Sequence, residues 1–196
     1  MRLKLVLLYG GKSGEHEVSL QSGASVLANL DPNQYEIMPI GMDKKGCLYL
    51  NNPDDLIAHY PDSLPVALPD SKQLPGLIVN GQFVLEADVV FPVMHGPRCE
   101  DGVLQGVFDL ANIAYVGCNV LSSAMCMDKD IARQLAKVEG IEAIRYHRLP
   151  HTTSQAQDKT WCEEAVAELG WPLFVKPNAL GSSVGIHRAD DMESLL

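Results

Sequence analysis

Apolar and polar positions along this chain alternate between two rhythms. LKLVLLY (residues 3–9) is apolar almost throughout, the signature of a strand covered on both faces of a parallel sheet. Residues 16–30 change to helical spacing, with Val18, Gln21, Ser22, Ser25 and Val26 on one stripe, and Asp31-Pro32 closes the segment. YEIMPIGM (35–42) is a second strand, so the chain opens β-α-β. MDKKGCLYL (42–50) predicts a hairpin about Lys45-Gly46, and PDDLIAHY (53–60) a short helix. Prolines 61, 65, 69 and 75 mark 61–76 as a surface loop. Asn80-Gly81 between apolar runs predicts a second hairpin over 77–85. DVVFPVMHG (88–96) is another buried strand that runs into a polar turn. GVLQGVFDLANI (102–113) reads as a helix with Val103, Leu104, Val107, Leu110 and Ala111 on its inner face, followed by a short strand, IAYVG (113–117).

A boundary is expected within 118–128. Beyond it, 127–140 predicts a helix with Ile131, Leu135 and Val138 inward and Gly140 closing it. AIRYHRL (143–149) is expected as a strand. Thr160 is placed as the cap of a helix over 161–170 whose inner side carries Trp161, Ala165, Val166 and Leu169. PLFVKP (172–177) and VGIHR (184–188) are strands joined by a glycine-serine loop, and DDMESLL starts a helix. The fold class is therefore α/β: a Rossmann-like βαβ unit over 1–126, then a second unit, 127–196, with too few pieces to close a core. The expectation is that a longer protein was cut, or that another chain completes this unit. No internal repeat or low-complexity segment is evident.

Composition narrows the picture. The 196 residues are 46% hydrophobic, enough for a substantial core. A net charge of −10 argues against nucleic acid or an anionic membrane as partner, since both reward Lys and Arg clusters, but leaves room for a nucleotide held by a few local cations. No apolar run reaches the roughly 18 residues of a membrane span. Met1-Arg2-LKLVLL lacks the small-residue cleavage site of a signal peptide and is read as the first strand. Five scattered cysteines fit reduced cytosolic thiols, and no spacing suggests a metal site.

Three stretches carry candidate chemistry. GGKSGEHEVS (10–19) follows the first strand and opens the first helix. Its backbone N–H groups and Glu15 could face a ligand, with Glu15 gripping an ammonium group. Equally, Glu15 and Glu17 could be first-turn acids behind Ser13 as N-cap. HGPRCEDG (95–102) could shape a pocket with His95, Glu100 and Asp101, or be a turn in which Asp101 caps the next helix. VKPNALGSSVG (175–185) sets Lys176 at a strand end beside a loop able to fold over phosphates. Its lysine precedes the glycines, so it is not a Walker A loop, and the plain alternative is a flexible hairpin. Lys129 in MDKD is unremarkable alone. His16, His59, His147, His151 and His187 receive no role from their spacing.

In order, YGGKSGEHEVSLQS, FPVMHGPRCEDGVLQG, CMDKDIARQLAKVEGI and PLFVKPNALGSSVGI resemble the D-alanine–D-alanine ligases of the ATP-grasp superfamily over nearly the whole chain. The resemblance implies a pre-ATP-grasp domain over 1–126 and the start of an ATP-grasp domain over 127–196. It implies a cytoplasmic enzyme of peptidoglycan synthesis that joins two D-alanines through an acyl phosphate made with ATP and Mg2+. By resemblance, Glu15 holds the ammonium of the first D-alanine and shares a hydrogen-bond set with Ser182. His95 lines that substrate's pocket. Lys129 and Lys176 contact ATP phosphates, and Gly181, Ser182, Ser183, Val184 and Gly185 close near them. A homodimer through the N-terminal domain is implied, with no nucleic-acid or membrane partner.

The chain also departs from that pattern. The family usually has glycine where Cys99 stands, and a positive φ there would strain the turn and displace Glu100. Asn178-Ala179 reverses the usual order. The Mg2+ ligands, the arginine for the tetrahedral intermediate and most of the adenine pocket lie later in the family. Residues 1–196 are therefore expected not to ligate by themselves, and no metal ligand is expected within them. A D-alanine–D-lactate ligase is the neighbouring reading. A binding or dimerisation module without turnover is the alternative from another class.

Overall fold

The structure is a computed structural model that describes residues 1–149 and 154–196. His151 lies outside the described residues. The chain divides into two compact units, Met1–Met125 and Cys126–Leu196.

The first unit is built on β1 (Leu3–Gly10), α1 (His16–Asn29), β2 (Tyr35–Met42), β3 (Leu48–Leu50), α2 (Pro53–His59) and β4 (Lys72–Leu74). The small hairpin of β5 (Ile78–Val79) and β6 (Gln82–Phe83) follows, then β7 (Val89–Val93), α3 (Val103–Leu110), β8 (Ala114–Tyr115) and α4 (Val120–Met127). Six strands form one sheet in the order β4-β3-β2-β1-β7-β8. β2, β1, β7 and β8 run parallel, while β3 and β4 add an antiparallel edge.

Alternation along β1 explains its unbroken apolar run. Leu5, Leu7 and Tyr9 enter one core with Leu20, Ala24 and Leu27 of α1 and Leu56 of α2. Val6 and Leu8 enter the other with Ile40, Val90, Leu104 and Phe108. Each such side chain contributes about 1.5–3 kcal/mol by leaving water.

The strand assignments agree closely with the pattern, but the helix faces do not. α1 buries His16, Ser19, Leu20, Gly23, Ala24 and Leu27, whereas Val18 is 45% exposed. Hydropathy misses this face because two of its residues are polar groups bonded to strand ends. α3 buries Leu104, Gln105 and Phe108, and Val103 and Leu110 point to solvent. VLQGVFDL is apolar on two adjacent stripes, so periodicity alone does not choose between them. The proline-rich stretch is not merely surface loop. It contributes β4 and the buried Leu64 and Leu68, and buried Asn51 pins it. The Asn51 amide donates to the Tyr9 hydroxyl (2.9 Å) and the Val66 carbonyl (3.1 Å), and its Oδ1 accepts from Leu68 N–H (2.9 Å) and the Ser71 hydroxyl.

The second unit contains α5 (Lys129–Val138), α6 (Gln155–Leu169), the antiparallel pair β9 (Leu173–Val175) and β10 (His187–Ala189), and α7 (Met192–Leu195). Asp128 caps α5 through the N–H groups of Asp130 and Ile131. Gly140 ends it at φ 74°, where its N–H bonds to Lys137 O and Ile141 N–H to Ala136 O, the Schellman pattern. Ile131, Leu135 and Val138 are exposed, and the buried residue of α5 is Asp130. Tyr146 O–H (2.7 Å) and Arg148 Nη1 (2.9 Å) bond its carboxylate, which the Tyr146 and Gln134 hydrogen bonds hold below the usual carboxylate range. Residues 141–149 form no strand, because their side chains and not a ladder tie them down. α6 begins at Gln155 with Ser154 as N-cap residue, so Thr160 lies inside it, and β10 starts three residues later than the apolar pattern suggests.

Candidate functional site

In an open parallel sheet, ligands bind where adjacent strands send their connections in opposite directions, just beyond the carboxyl ends. Here that point lies between β1 and β7: β1 continues through α1 to β2 on one side, and β7 through α3 to β8 on the other. The turns after these two strands carry GGKSGEH and HGPRCED.

Side chains tie the two turns together. The Ser13 hydroxyl donates to His95 O (2.6 Å) and accepts Glu15 N–H (3.2 Å). The fully buried Ser19 hydroxyl accepts Gly10 N–H (2.7 Å) and donates to Val93 O, bridging the ends of β1 and β7. His16 Nδ1 bonds Gly11 O (2.7 Å), which requires the proton on Nδ1. From the sequence, Ser13 is read only as a possible N-cap, His16 receives no role, and Ser19 is not singled out. Their signal is polar side chains three apart, 16, 19 and 22, on the sheet-facing side of α1.

Glu15 occupies the N-cap position of α1 but makes no cap bond. Its carboxylate lies directly against Gly96, where φ is +78° and any Cβ would collide with it. Glu15 is 94% buried, since its relative exposure is 6%. Among the described residues no Lys, Arg or His nitrogen pairs with it. A glutamate that leaves its own helix uncapped, at a position that favours Ser, Thr, Asp or Asn, breaks a local rule in a way that marks functional sites. A buried carboxylate without a cation favours a cationic ligand.

The second turn supplies more than His95. Glu100 Oε2 accepts Gly96 N–H (2.6 Å), and Oε1 lies 3.9 Å from His95 Nδ1. Asp101 accepts N–H bonds from Arg98 (2.7 Å) and Val103 (3.1 Å), so it supports the start of α3, whose N-cap is Gly102. Cys99 does not strain the turn. The non-glycine residue of this turn with positive φ is Arg98 at 71°. The Cys99 side chain is buried beside Met94 and Leu104, and its thiol is pushed up to about 11 by burial and by Asp101, Glu100 and Glu15, which makes it a poor nucleophile. The Gln105 amide N–H donates to Cys99 O (3.0 Å) beneath the turn.

In the second unit, Lys176 follows β9 directly and the glycine-serine loop joins β9 to β10. Ser182 and Ser183 have φ of 48° and 61°, and Val184 N–H bonds Gly181 O (3.0 Å), a turn with both central residues left-handed. Such conformations cost serine about 1–2 kcal/mol each. Gly185 is also left-handed, and a Cβ there would meet Pro177 Cγ at 2.8 Å. At the start of α5, Lys129 N–H bonds Asn178 O (3.1 Å), and Lys129 Nζ donates to Leu180 O and Asn178 O. The structure thus gathers Glu15 with His95, and Lys129 with the loop that carries Lys176, Gly181, Ser182, Ser183 and Val184. Among the described residues no group of three or more His, Cys, Asp or Glu side chains could hold a metal.

Comparison with known proteins identifies the family. The family model described as D-ala D-ala ligase N-terminus matches residues 4–118, and the one described as D-ala D-ala ligase C-terminus matches 135–196. The chain belongs to the D-alanine–D-alanine ligase family. A D-alanine--D-alanine ligase of Legionella pneumophila is 54% identical over 193 residues, covering 98% of this chain and 53% of that protein. The solved D-alanine-D-alanine ligase from Coxiella burnetii superposes with a TM-score of 0.79 at 33% identity, covering 98% of this chain and 58% of that one. The Bacillus anthracis ligase complexed with ATP gives a TM-score of 0.63 at 30% identity, covering 98% and 52%. The chain spans about half the length of the curated relatives it matches. As in those ligases, the fold is mixed α/β. No helix among the described residues is long and apolar enough to cross a membrane.

Proposed function

We propose that this chain is the N-terminal half of an ATP-dependent ligase that joins two D-alanines for peptidoglycan synthesis. The observation that carries the reading is the buried Glu15 carboxylate, unpaired with any cation and pressed against the His95-Gly96 turn at the switch point of the sheet. An amino acid is a zwitterion, and its ammonium needs such a carboxylate. Glu15 binds the ammonium of the first D-alanine, and His95, held by Glu100 and Ser22, lines that pocket. Residues 1–126 form the substrate domain and 127–196 the start of the ATP-grasp domain.

Lys129, Lys176 and the turn at Gly181, Ser182, Ser183 and Val184 hold the ATP phosphates. ATP supplies the phosphoryl group that activates the first carboxylate. The protein's part is to position groups and neutralise charge, which is most of what phosphoryl transfer needs. Lys129 then exchanges its bonds to the Asn178 and Leu180 carbonyls for phosphate oxygens. The described residues do not form a Mg2+ site. The protein acts in the cytoplasm as a homodimer through its N-terminal unit, which sedimentation at tens of micromolar would show.

The deciding measurement is phosphate release from ATP and Mg2+ with D-alanine, L-alanine or D-lactate, on this chain and on the complete product of its reading frame. Turnover by the complete product alone, with D-alanine alone, supports the reading. Absence of turnover in both moves a binding or dimerisation module to the front, and turnover by residues 1–196 refutes the half-enzyme assignment.

A further inference from the structure

His95 is gripped from both sides. Its Nε2 lies 3.0 Å from the Ser22 hydroxyl on α1, and its Nδ1 faces Glu100 Oε1 at 3.9 Å. Its carbonyl accepts the Ser13 hydroxyl, and Glu15 abuts the next residue, Gly96. Among the described residues no Lys or Arg nitrogen pairs with Glu100 or Glu15. A neutral imidazole carries one N–H, and the two partners differ in what they accept. A carboxylate only accepts, whereas a serine hydroxyl can donate or accept. With the proton on Nδ1, both are served: N–H faces Glu100, and Ser22 O–H donates to the Nε2 lone pair. With the proton on Nε2, the Nδ1 lone pair faces a carboxylate.

We propose that Ser22 is a positioning residue whose hydroxyl, donated to Nε2, holds His95 in the Nδ1–H tautomer with that proton toward Glu100. In water, free imidazole favours the opposite tautomer, so Glu100 selects this one and the Ser22 hydroxyl, donated to Nε2, holds it against that preference. Ser22 is spaced for the task. It lies one turn beyond Ser19, which fixes the strand ends, and two turns beyond His16, so a single polar stripe of α1 sets strand spacing and ring orientation together.

The consequence for substrate rests on the D-alanine reading above, but the tautomer does not, and the test separates them. Two-bond 15N–1H correlation spectra of the histidine-labelled chain, taken where imidazole is neutral, report which ring nitrogen carries the proton. His95→Gln assigns the signal. The expected spectrum has His95 protonated on Nδ1, a shift to the Nε2–H form in Ser22→Ala, and retention of Nδ1–H in Ser22→Thr. His16, whose Nδ1 is tied to Gly11 O, stays Nδ1–H in every variant and monitors the helix. An Nε2–H His95 in the unaltered chain, or no change in Ser22→Ala, overturns the proposal. If both rings change in Ser22→Ala, Ser22→Thr decides: Nδ1–H retained supports it, lost overturns it. In the complete product of the reading frame, losing one such bond raises KM for D-alanine about tenfold with kcat nearly unchanged. A tautomer shift without that KM effect leaves the Ser22 assignment standing and refutes the substrate role of His95.

Discussion

The two clusters of candidate residues are built in opposite ways. The turns around Glu15 and His95 are closed by side chains buried within a two-faced core, with Ser19 bonded to both strand ends and His16 Nδ1 tied to Gly11 O. The 178–185 loop stands on a two-stranded ribbon, exposes Ser182 and Ser183 in left-handed conformations, and turns Lys129 inward on its own carbonyls. Under the proposed function the first cluster would discriminate a small zwitterion, which needs fixed groups because a small ligand offers few contacts. The loop would cover phosphates and release them, which needs groups that can change partners. The contrast is one between side chains locked by buried partners and side chains left exposed on a ribbon turn.

The strongest way to break this contrast is to loosen the rigid cluster. Asn51→Leu removes the donor to Tyr9 Oη and Val66 O and the acceptor of Leu68 N–H and Ser71 O–H, and is expected to cost the first unit about 3–5 kcal/mol in urea unfolding. Ser19→Ala orphans Gly10 N–H and Val93 C=O, and about 2–4 kcal/mol is expected to go, with faster amide exchange at Gly10. A loss under about 0.5 kcal/mol in either variant would mean that the first unit is no more ordered than the second.

Acid probes the second unit. The folded state depresses the Asp130 pKa, first through Tyr146 O–H, so this contribution is complete above the ordinary carboxylate value of 3.8 and fades as pH falls through the folded value. Melting temperatures of the chain and of Asp130→Asn should therefore differ at neutral pH and converge in strong acid. Parallel curves would assign Asp130 no role. The smallest effect is expected in the loop: Ser183→Gly relieves a left-handed serine and should stabilise the second unit by about 1 kcal/mol or less, measured by thermal unfolding. A clear destabilisation would show that the loop is held by its side chains after all.

Much was legible without coordinates. β1, β2 and β7, the hairpins at Gly46 and Gly81 and the Schellman end at Gly140 follow from local rules. So does the suspicion that GGKSGEHEVS is more than a turn. What failed was the choice of helix face. On α1 and α5 the buried stripe includes His16, Ser19 and Asp130, which hydropathy assigns to solvent. They are inside because polar partners satisfy them: Gly11, in the turn just before the helix, for His16, and the more distant Val93 for Ser19 and Tyr146 and Arg148 for Asp130.

The sequence by itself determined the strand-helix alternation, the family and the residue types at both clusters, because these rest on local spacing and on motifs. Only the tertiary structure decided that β7 lies beside β1, which sets Glu15 against Gly96 and aligns Ser22 with His95. Strand order and buried hydrogen bonds join residues some seventy to eighty positions apart, and no periodicity within a single segment records them.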